Sequence, residues 1–148
     1  MFSIEQLEEF LRQNHCDFEI IKHDEPIMST QDAAKYFDIN KAAPTFILQS
    51  EADLVALIIS SQYGKIDFKK LKAELSFSKL KFADKDIVKE VTGYTVGSIP
   101  LIGHNLICAM DRTLLQYDYI YGGTGDEYHT LKIAPLDVFK LSNEACYI

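Results

Sequence analysis

The chain has 148 residues, of which 47% are hydrophobic and 25% are charged, and its formal net charge at pH 7 is −7. This size and composition exclude a disordered or repetitive chain and predict one globular domain over residues 1–148. The negative charge argues against a general nucleic-acid binder, and no DNA partner is expected. No apolar stretch approaches the roughly 20 residues that cross a bilayer, so no membrane partner is expected. Because the first residues are acidic, we expect no signal peptide and a cytoplasmic location.

Neither the cysteines nor the histidines are spaced like metal ligands. Cys16, Cys108 and Cys146 stand alone, which predicts reduced thiols, and the apolar run around Cys108 favours a core position. No CxxC, HxxxH or HExxH pattern occurs, so we expect no metal ion and no other cofactor. His15 and His129 are expected at the surface or at helix ends.

The first half of the chain alternates between helix and strand patterns. Ser3 and Gln6 have the spacing of a capping box at the start of a helix that carries Leu7 and Leu11 on one face. Residues 17–21 alternate like a strand that ends near His23. A second helix is expected to begin at Ser29 or Thr30. Its expected buried face comprises Ala33, Ala34 and Phe37.

A hairpin and two helices are predicted next. Residues 45–48 and 54–60 read as strands joined by a polar turn at 49–53. Asp67 is the expected N-cap of one helix and Asp84 of another. The expected buried residues of these two helices are Phe68, Leu71, Leu75, Ile87, Val88 and Val91.

The second half is rich in strands and glycine. Residues 92–104 contain three glycines and a proline and cannot form a regular helix. Strands are predicted at 106–110, 117–121 and 128–133, a glycine-rich turn at 122–125, and a helix at 136–141 after Pro135. Because the strands outnumber those of a simple βαβ alternation, the expected fold class is α/β (α+β), a mixed, curled sheet or barrel with surrounding helices.

The glycine loop is the most informative feature for function. Backbone N–H groups of such a loop can converge on a carboxyl, a phosphate or a developing oxyanion. The loop has neither the P-loop nor the GxGxxG pattern, and Ser98 lacks the strand-turn-helix context of a nucleophilic serine. From the residues alone it could equally be a structural turn.

The loop also carries a family resemblance. Its sequence, Thr92-Gly93-Tyr94-x-Val96-Gly97-x-Ile99-Pro100-x-x-Gly103-His104, resembles the characteristic loop of the YbaK-type aminoacyl-tRNA editing domains. That family includes free-standing Cys- and Ala-tRNA deacylases and the editing domain inserted in bacterial prolyl-tRNA synthetases. Further segments resemble the family in order along the chain, at His23-Asp24, Asp32-Ala33-Ala34, 66–71, 122–125 and 133–137.

The resemblance implies a trans-acting, metal-free deacylase that removes a small mischarged amino acid from tRNA. Its partner would be the acceptor end of aminoacyl-tRNA, and a synthetase is a further candidate partner. Water attacks the ester, helped by the terminal ribose, while the amides of Gly97, Ser98 and Ile99 hold the aminoacyl group. The opposing wall would comprise Gly123, Thr124 and Gly125, with His23, Thr45 and Pro100 as further substrate-binding candidates.

His104 and four lysines complete the candidate site. His104 could contact substrate or relay a proton, and a structural role is the alternative for both His104 and His23. Residues 65–90 contain eight lysines and five acidic residues, which leaves this segment at +3 and the rest at −10. A basic segment can attract a phosphate backbone, or it can simply be two solvated helix faces. The tRNA-binding candidates are Lys41, Lys69, Lys70 and Lys72.

Two departures from the family pattern keep other functions open. Pro44 stands where the family places a lysine, and Leu101 stands where its loop closes with proline. Proline offers neither a charge nor an N–H group. A first alternative is therefore a non-catalytic module that binds tRNA or a synthetase, and a second is a small-molecule binder of an amino acid or nucleotide. The sequence does not indicate an oligomeric state.

Overall fold

The computed structural model describes all residues from Met1 to Ile148. Its α-helices are α1 (Ile4–Gln13), α2 (Thr30–Ala33), α3 (Phe68–Leu75), α4 (Lys85–Thr92) and α5 (Pro135–Leu141). Its strands are β1 (Phe18–Lys22), β2 (Thr45–Ser50), β3 (Leu54–Ile58), β4 (Leu80–Phe82), β5 (Ile107–Met110), β6 (Ile120–Gly123), β7 (His129–Ile133) and β8 (Ala145–Tyr147). Short 3₁₀ helices lie at Ile39–Lys41 and Arg112–Gln116. None of the helices combines the length and the apolar character that a membrane crossing requires.

The strands form two sheets, which confirms the predicted mixed α/β architecture. An antiparallel sheet has the order β1-β7-β6, and a mixed five-stranded sheet has the order β4-β2-β3-β5-β8. In the larger sheet β3 pairs with β5, and β5 with β8, in parallel, whereas the pairs made by β2 are antiparallel. The sheets meet where Ala42 bridges to Tyr121, and the Ala43 N–H donates to the Tyr121 carbonyl at 2.7 Å.

The five-stranded sheet is covered on both faces, which explains the apolar run of β3. Val55 and Leu57 pack with Leu71 of α3 on one face. Ala56 packs on the other face with Val88 of α4. A third and larger cluster fills the space between the two sheets, α1 and α5.

The helix starts follow the predicted capping chemistry in part. The Ser3 hydroxyl accepts from the Gln6 N–H at 3.1 Å, and the Gln6 side chain accepts from the Ser3 N–H at 2.9 Å, which confirms the capping box. Asp67 accepts from the N–H groups at the start of α3, again as predicted. Asp84 occupies the N-cap position of α4 but makes no side-chain capping bond.

Several local predictions were wrong. Gly122 and Gly123 belong to strand β6 rather than to a turn. Strand β6 begins only at Ile120, because the chain bends at residues 117–118 after the 3₁₀ helix. Val91 is 58% exposed, since α4 is short and directs Val88 rather than Val91 at the sheet. Ala34 is exposed as well. Strands β4 and β8 were not predicted at all, because each has three residues and forms only by pairing with a distant strand.

Candidate functional site

A cleft of about 650 Å³ opens where the two sheets part. Its walls come from residues 44–47 at the start of β2, 121–123 at the end of β6, the loop at 96–99, the segment around α2, and the turn at 126–130. This volume lies within the usual range of roughly 300–1,000 Å³ for small-molecule sites in proteins. Half of the lining residues are hydrophobic, 13 of 26, so polar groups are frequent enough to orient a ligand.

The glycine loop has unpaired backbone donors at residues that line this cleft, among them Gly97 and Ile99. Gly97 has a φ of +100°, a left-handed conformation that residues with side chains rarely adopt. The N–H groups of Gly97 and Ile99 have no hydrogen-bond partner, although Ile99 is only 4% exposed. Gly97 is exposed, so its N–H group is open to solvent, whereas Ile99 is buried. Unpaired N–H groups in buried backbone are rare in proteins, so the one of Ile99 indicates that water or a ligand accepts from it. Both residues line the cleft.

Ser98, between these two residues, does not offer a third donor. Its N–H donates to the Thr95 carbonyl at 3.0 Å, and its hydroxyl donates to the same oxygen at 3.2 Å. The expectation that all three consecutive amides are available is therefore corrected to two. Because the hydroxyl is engaged with a carbonyl and has no base beside it, Ser98 is not arranged as a nucleophile.

The loop is held against the opposite wall by a close backbone approach. The Leu101 N–H donates to the Gly123 carbonyl at 3.0 Å. A Cβ atom added to Gly123 would lie only 2.2 Å from the Ile99 carbonyl oxygen. Only glycine permits this contact, because a methyl group would overlap with backbone. Gly123 therefore sets the distance between the loop and β6.

Polar side chains without partners lie at the same cleft. The hydroxyl of Thr45 is buried and makes no hydrogen bond. The Nδ1 atom of His129 is also buried and lies 3.4 Å from a carboxylate oxygen of Asp126, without the geometry of a hydrogen bond. The other oxygen of Asp126 accepts from the Tyr128 N–H at 2.8 Å, which fixes this carboxylate. Buried polar atoms are nearly always paired in proteins, so unpaired ones at a cleft suggest an absent ligand or water.

His23 lies behind the cleft rather than in it. Its Nδ1 donates to the Glu25 carbonyl at 3.0 Å, which leaves Nε2 to accept from the Thr130 hydroxyl at 3.0 Å. Thr130 lines the cleft, whereas His23 does not. His23 was predicted to bind substrate, and its position instead suits it to hold Thr130 in place.

His104 lies outside the cleft as well. It is buried, its Nδ1 accepts from the Leu106 N–H at 3.1 Å, and it lines a separate cavity of about 190 Å³ near α1 and α5. Burial lowers the pKa of His104 to about 4, so this imidazole is neutral near pH 7. Its Nε2 is buried without a hydrogen-bond partner. Because His104 does not line the cleft, the structure does not bring it together with the glycine loop amides, and its catalytic role stays a prediction.

Three more predicted residues support the site from behind. The Thr124 hydroxyl donates within its own turn to the carbonyls of Asp126 and His129. Gly125 packs flat against the ring of Tyr94, so a Cβ atom there would lie 2.5 Å from a ring carbon. Pro100 is buried and does not line the cleft. Of the predicted wall residues Gly123, Thr124 and Gly125, only Gly123 lines the cleft. Gly122 also lines it.

None of the predicted tRNA-binding lysines lines the cleft. Lys69, Lys70 and Lys72 belong to α3, and Lys70 pairs with Glu74 at 3.9 Å. Lys41 lies beside Tyr119, with its ammonium group 4.3 Å from the ring centroid. The cleft itself has one lysine, Lys85, at the start of α4.

The thiols are not placed for chemistry at this site. Cys108 is fully buried in β5, as its apolar neighbours predicted, and burial raises the pKa of its thiol to about 11. A thiol with that pKa carries almost no thiolate at neutral pH. No group of three or more His, Cys, Asp or Glu side chains is arranged so that it could hold a metal ion.

Asp126 and His129, two of the titratable residues that line the cleft, were not predicted as site residues. His129 was expected at the surface or at a helix end. The signal available was their position just after the glycine pair of β6, which the fold brings opposite Gly97. Pro44, noted only as a departure from the family pattern, lines the cleft next to Thr45.

Comparison with solved structures agrees with this architecture. A crystal structure of a protein described as hypothetical superposes with a TM-score of 0.84 at 22% identity, covering 95% of this chain and 96% of its own. Another, described as a candidate trans-editing enzyme for prolyl-tRNA synthetase, gives a TM-score of 0.83 at 18% identity and covers 100% of this chain and 97% of its own. At such low identity these likenesses establish the fold alone.

The sequence itself matches a protein family. The family described as the aminoacyl-tRNA editing domain matches residues 24–141, a range that contains the glycine loop, β2, β6 and the turn before β7. Every wall of the cleft lies within this match. The chain therefore belongs to the aminoacyl-tRNA editing domain family.

Proposed function

We propose that this chain is a trans-acting deacylase, which hydrolyses the ester between a small mischarged amino acid and the 3′ end of tRNA. The observation that carries the proposal is the pair of unpaired N–H groups of Gly97 and Ile99 at the cleft. Membership of the editing-domain family supports the substrate class. A solved structure that shares the fold is described as a candidate trans-editing enzyme for prolyl-tRNA synthetase, which supports action in trans.

The chemistry needs an oxyanion site more than it needs a protein nucleophile. Water adds to the ester carbonyl carbon, and the resulting oxyanion accepts hydrogen bonds from the Gly97 and Ile99 amides. The bond to the ribose oxygen then breaks, that oxygen takes up a proton, and a free amino acid and an uncharged tRNA remain. Preorganised amides stabilise the tetrahedral intermediate more strongly than the ester, which is the requirement for catalysis.

The remaining cleft residues suit the other parts of the substrate. An aminoacyl ester carries a free α-ammonium group, and the Asp126 carboxylate at the cleft is of opposite charge. We assign His129 to orienting the attacking water, together with a hydroxyl of the terminal ribose, because it lines the cleft beside Asp126. The apolar wall around Phe37, Pro44 and Val96 would receive the amino acid side chain.

The test is release of amino acid from a panel of mischarged tRNAs. We expect at least one small amino acid to be released well above the spontaneous rate. Gly97→Ala should lower that rate about 10²-fold, because its φ of +100° strains any side chain and displaces the amides. Gly64→Ala is the matched control, since Gly64 also has a positive φ but no atom lies near its side-chain position. No release from any tRNA would refute the proposal.

A second candidate is a module that binds aminoacyl-tRNA or a synthetase without turnover. The observation that favours it is Pro44, which lines the cleft where the family places a lysine. Without that ammonium group, the cleft lacks one cation that could contact the tRNA end or the ester. This candidate predicts tRNA or synthetase binding with no hydrolysis, and robust release of amino acid would exclude it.

A further inference from the structure

Two lysines share a single tyrosine ring on the outer face of the three-stranded sheet. The ammonium group of Lys132 lies 4.1 Å from the ring centroid of Tyr119, and that of Lys41 lies 4.3 Å from it. Tyr121 meets Tyr119 edge to face, with 5.6 Å between ring centroids. These four residues, Lys41, Lys132, Tyr119 and Tyr121, are called the lysine–tyrosine cluster below.

Both lysines of the cluster are half-buried and form no ion pair. Other lysines of the chain do find partners: Lys35 pairs with Glu25 at 3.2 Å, and the Lys89 ammonium donates to the Gly93 carbonyl at 2.9 Å. A half-buried ammonium loses part of its hydration, so one without a carboxylate is suited to receive an anion from outside. The interaction with Lys41 also lowers the pKa of Tyr119 through hydrogen bonding and charge.

The cluster continues directly into the cleft. Tyr121 lines the cleft, and its ring stacks on Phe37, another lining residue, with 4.4 Å between centroids. Lys41 immediately precedes Ala42, which also lines the cleft. A ligand that fills the cleft and extends past Tyr121 therefore reaches Tyr119 and the two ammonium groups.

Two carboxylates lie nearby without neutralising the lysines. Glu19 is opposite Lys132 in the β1–β7 ladder, and Asp38 caps the 3₁₀ helix by accepting from the Asn40 N–H at 3.0 Å. Neither lies within ion-pair distance of Lys41 or Lys132. They limit the strength of the site, which favours a ligand held by direct contacts rather than by long-range attraction.

We propose that the lysine–tyrosine cluster binds a phosphate of the single-stranded acceptor end of tRNA, just before the terminal nucleoside whose ester enters the cleft. The inference rests on the proposed function and names the surface through which that substrate is held. Ammonium groups next to aromatic rings are the usual combination in sites for single-stranded nucleic acid. The α3 lysines, which were the other tRNA-binding candidates, suit this role less well because none of them lines the cleft.

The test compares two double variants that remove the same charge. Lys41→Gln with Lys132→Gln removes the cluster ammonium groups, and Lys69→Gln with Lys70→Gln is the matched control on α3. Binding of uncharged tRNA is measured over a range of salt concentrations. Loss of one phosphate contact to a single strand should reduce the slope of log K against log salt by about 0.7 and weaken binding at low salt roughly tenfold per lysine. The control should change neither value by as much.

Further measurements show whether the phosphate belongs to the single-stranded end of tRNA, and they distinguish failure of the cluster proposal from failure of the deacylase proposal. With tRNA that lacks its single-stranded 3′ end, the cluster variant should bind like wild type. In turnover, it should raise KM for mischarged tRNA while hydrolysis of an aminoacyl-adenosine, which has no phosphate, stays unchanged. Replacing both lysines with arginine should restore binding, which separates charge from misfolding. Equal effects of the two double variants, or no tRNA binding by wild type, would overturn the inference. Lysine-dependent binding without hydrolysis would support it and refute only the deacylase.

Discussion

The contact between Gly123 and the glycine loop offers the sharpest mutational test. In Gly123→Ala the new methyl carbon would lie 2.2 Å from the Ile99 carbonyl oxygen, whereas ordinary contact begins near 3.4 Å. Gly123 does not have a positive φ, so its backbone tolerates alanine and the whole effect is steric. The loop must therefore move by about 1 Å, a displacement that can lower a catalytic rate about 10²-fold. Overpacking of this kind destabilises proteins by about 1–3 kcal/mol.

The assay measures thermal unfolding and deacylation per folded molecule. For a chain of this length each kcal/mol should lower Tm by roughly 2–4 °C. The matched control is Gly64→Ala, which should lose about 1–2 kcal/mol through its positive φ alone and should keep its activity. A Gly123→Ala variant with the Tm and the activity of wild type would refute the reasoning, since it would mean that the loop is not held by this contact.

Three further predictions follow from the site. Pro44→Lys should raise the deacylation rate at least about tenfold if the missing ammonium limits turnover, and an unchanged rate would show that this cleft does not use it. Ser98→Ala should change the rate by less than about tenfold, because the serine hydroxyl is bonded to Thr95 and only the neighbouring amides bind; a larger loss would point to a serine nucleophile. The pKa of His104 is about 4 in the folded chain and near its ordinary value of 6.5 once unfolding exposes it to water, so protons favour the unfolded chain as the pH falls below 6.5. The contribution of neutral His104 to the free energy of unfolding should be complete above that pH and about 2 kcal/mol smaller at about pH 5. Urea unfolding of wild type and His104→Gln above pH 6.5 and at about pH 5 checks this prediction. If both proteins lose the same stability between the two pH values, the prediction is contradicted.

Features that depend on neighbouring residues were predictable from the sequence. The capping box of Ser3 and Gln6, the N-cap Asp67 and the β2–β3 hairpin all form as their local patterns indicate. The irregular loop around Gly97 was also predictable, because several glycines and a proline exclude a regular helix. Local hydrogen bonds and backbone preferences decide these features, and both can be read within a few positions of the chain.

Features that depend on distant pairing were not predictable. Strand β4 exists only through its antiparallel ladder with β2, and β8 only through its parallel pairing with β5. Likewise, the half-buried position of His129 results from the turn that brings it opposite the glycine loop. A histidine between polar residues gives the same sequence signal at a surface and at a cleft, so only the fold distinguishes the two.

The loop that contributes to the candidate site was predictable from the sequence, but the arrangement of residues around the cleft was not. The resemblance pointed to Gly97 and Ile99. Only the coordinates show that the Ser98 N–H is already bonded, that His104 lies outside the cleft and that Asp126 lines it. The four lysines show the same limit. Charge counting marked residues 65–90 as basic and left open whether they bind a phosphate backbone or form solvated helix faces. The structure places two ammonium groups without ion pairs around Tyr119, and one of them belongs to Lys132, far along the chain.

The most direct test of the account is an amide titration by NMR with a non-hydrolysable aminoacyl-adenosine analogue. The N–H resonances of Gly97 and Ile99 should shift as the analogue binds, because these donors gain an acceptor that they lack in the free protein. The Ser98 N–H, already bonded to Thr95, should shift less. Binding that leaves the Gly97 and Ile99 resonances unmoved, or no binding at all, would contradict the claim that this loop is the oxyanion site.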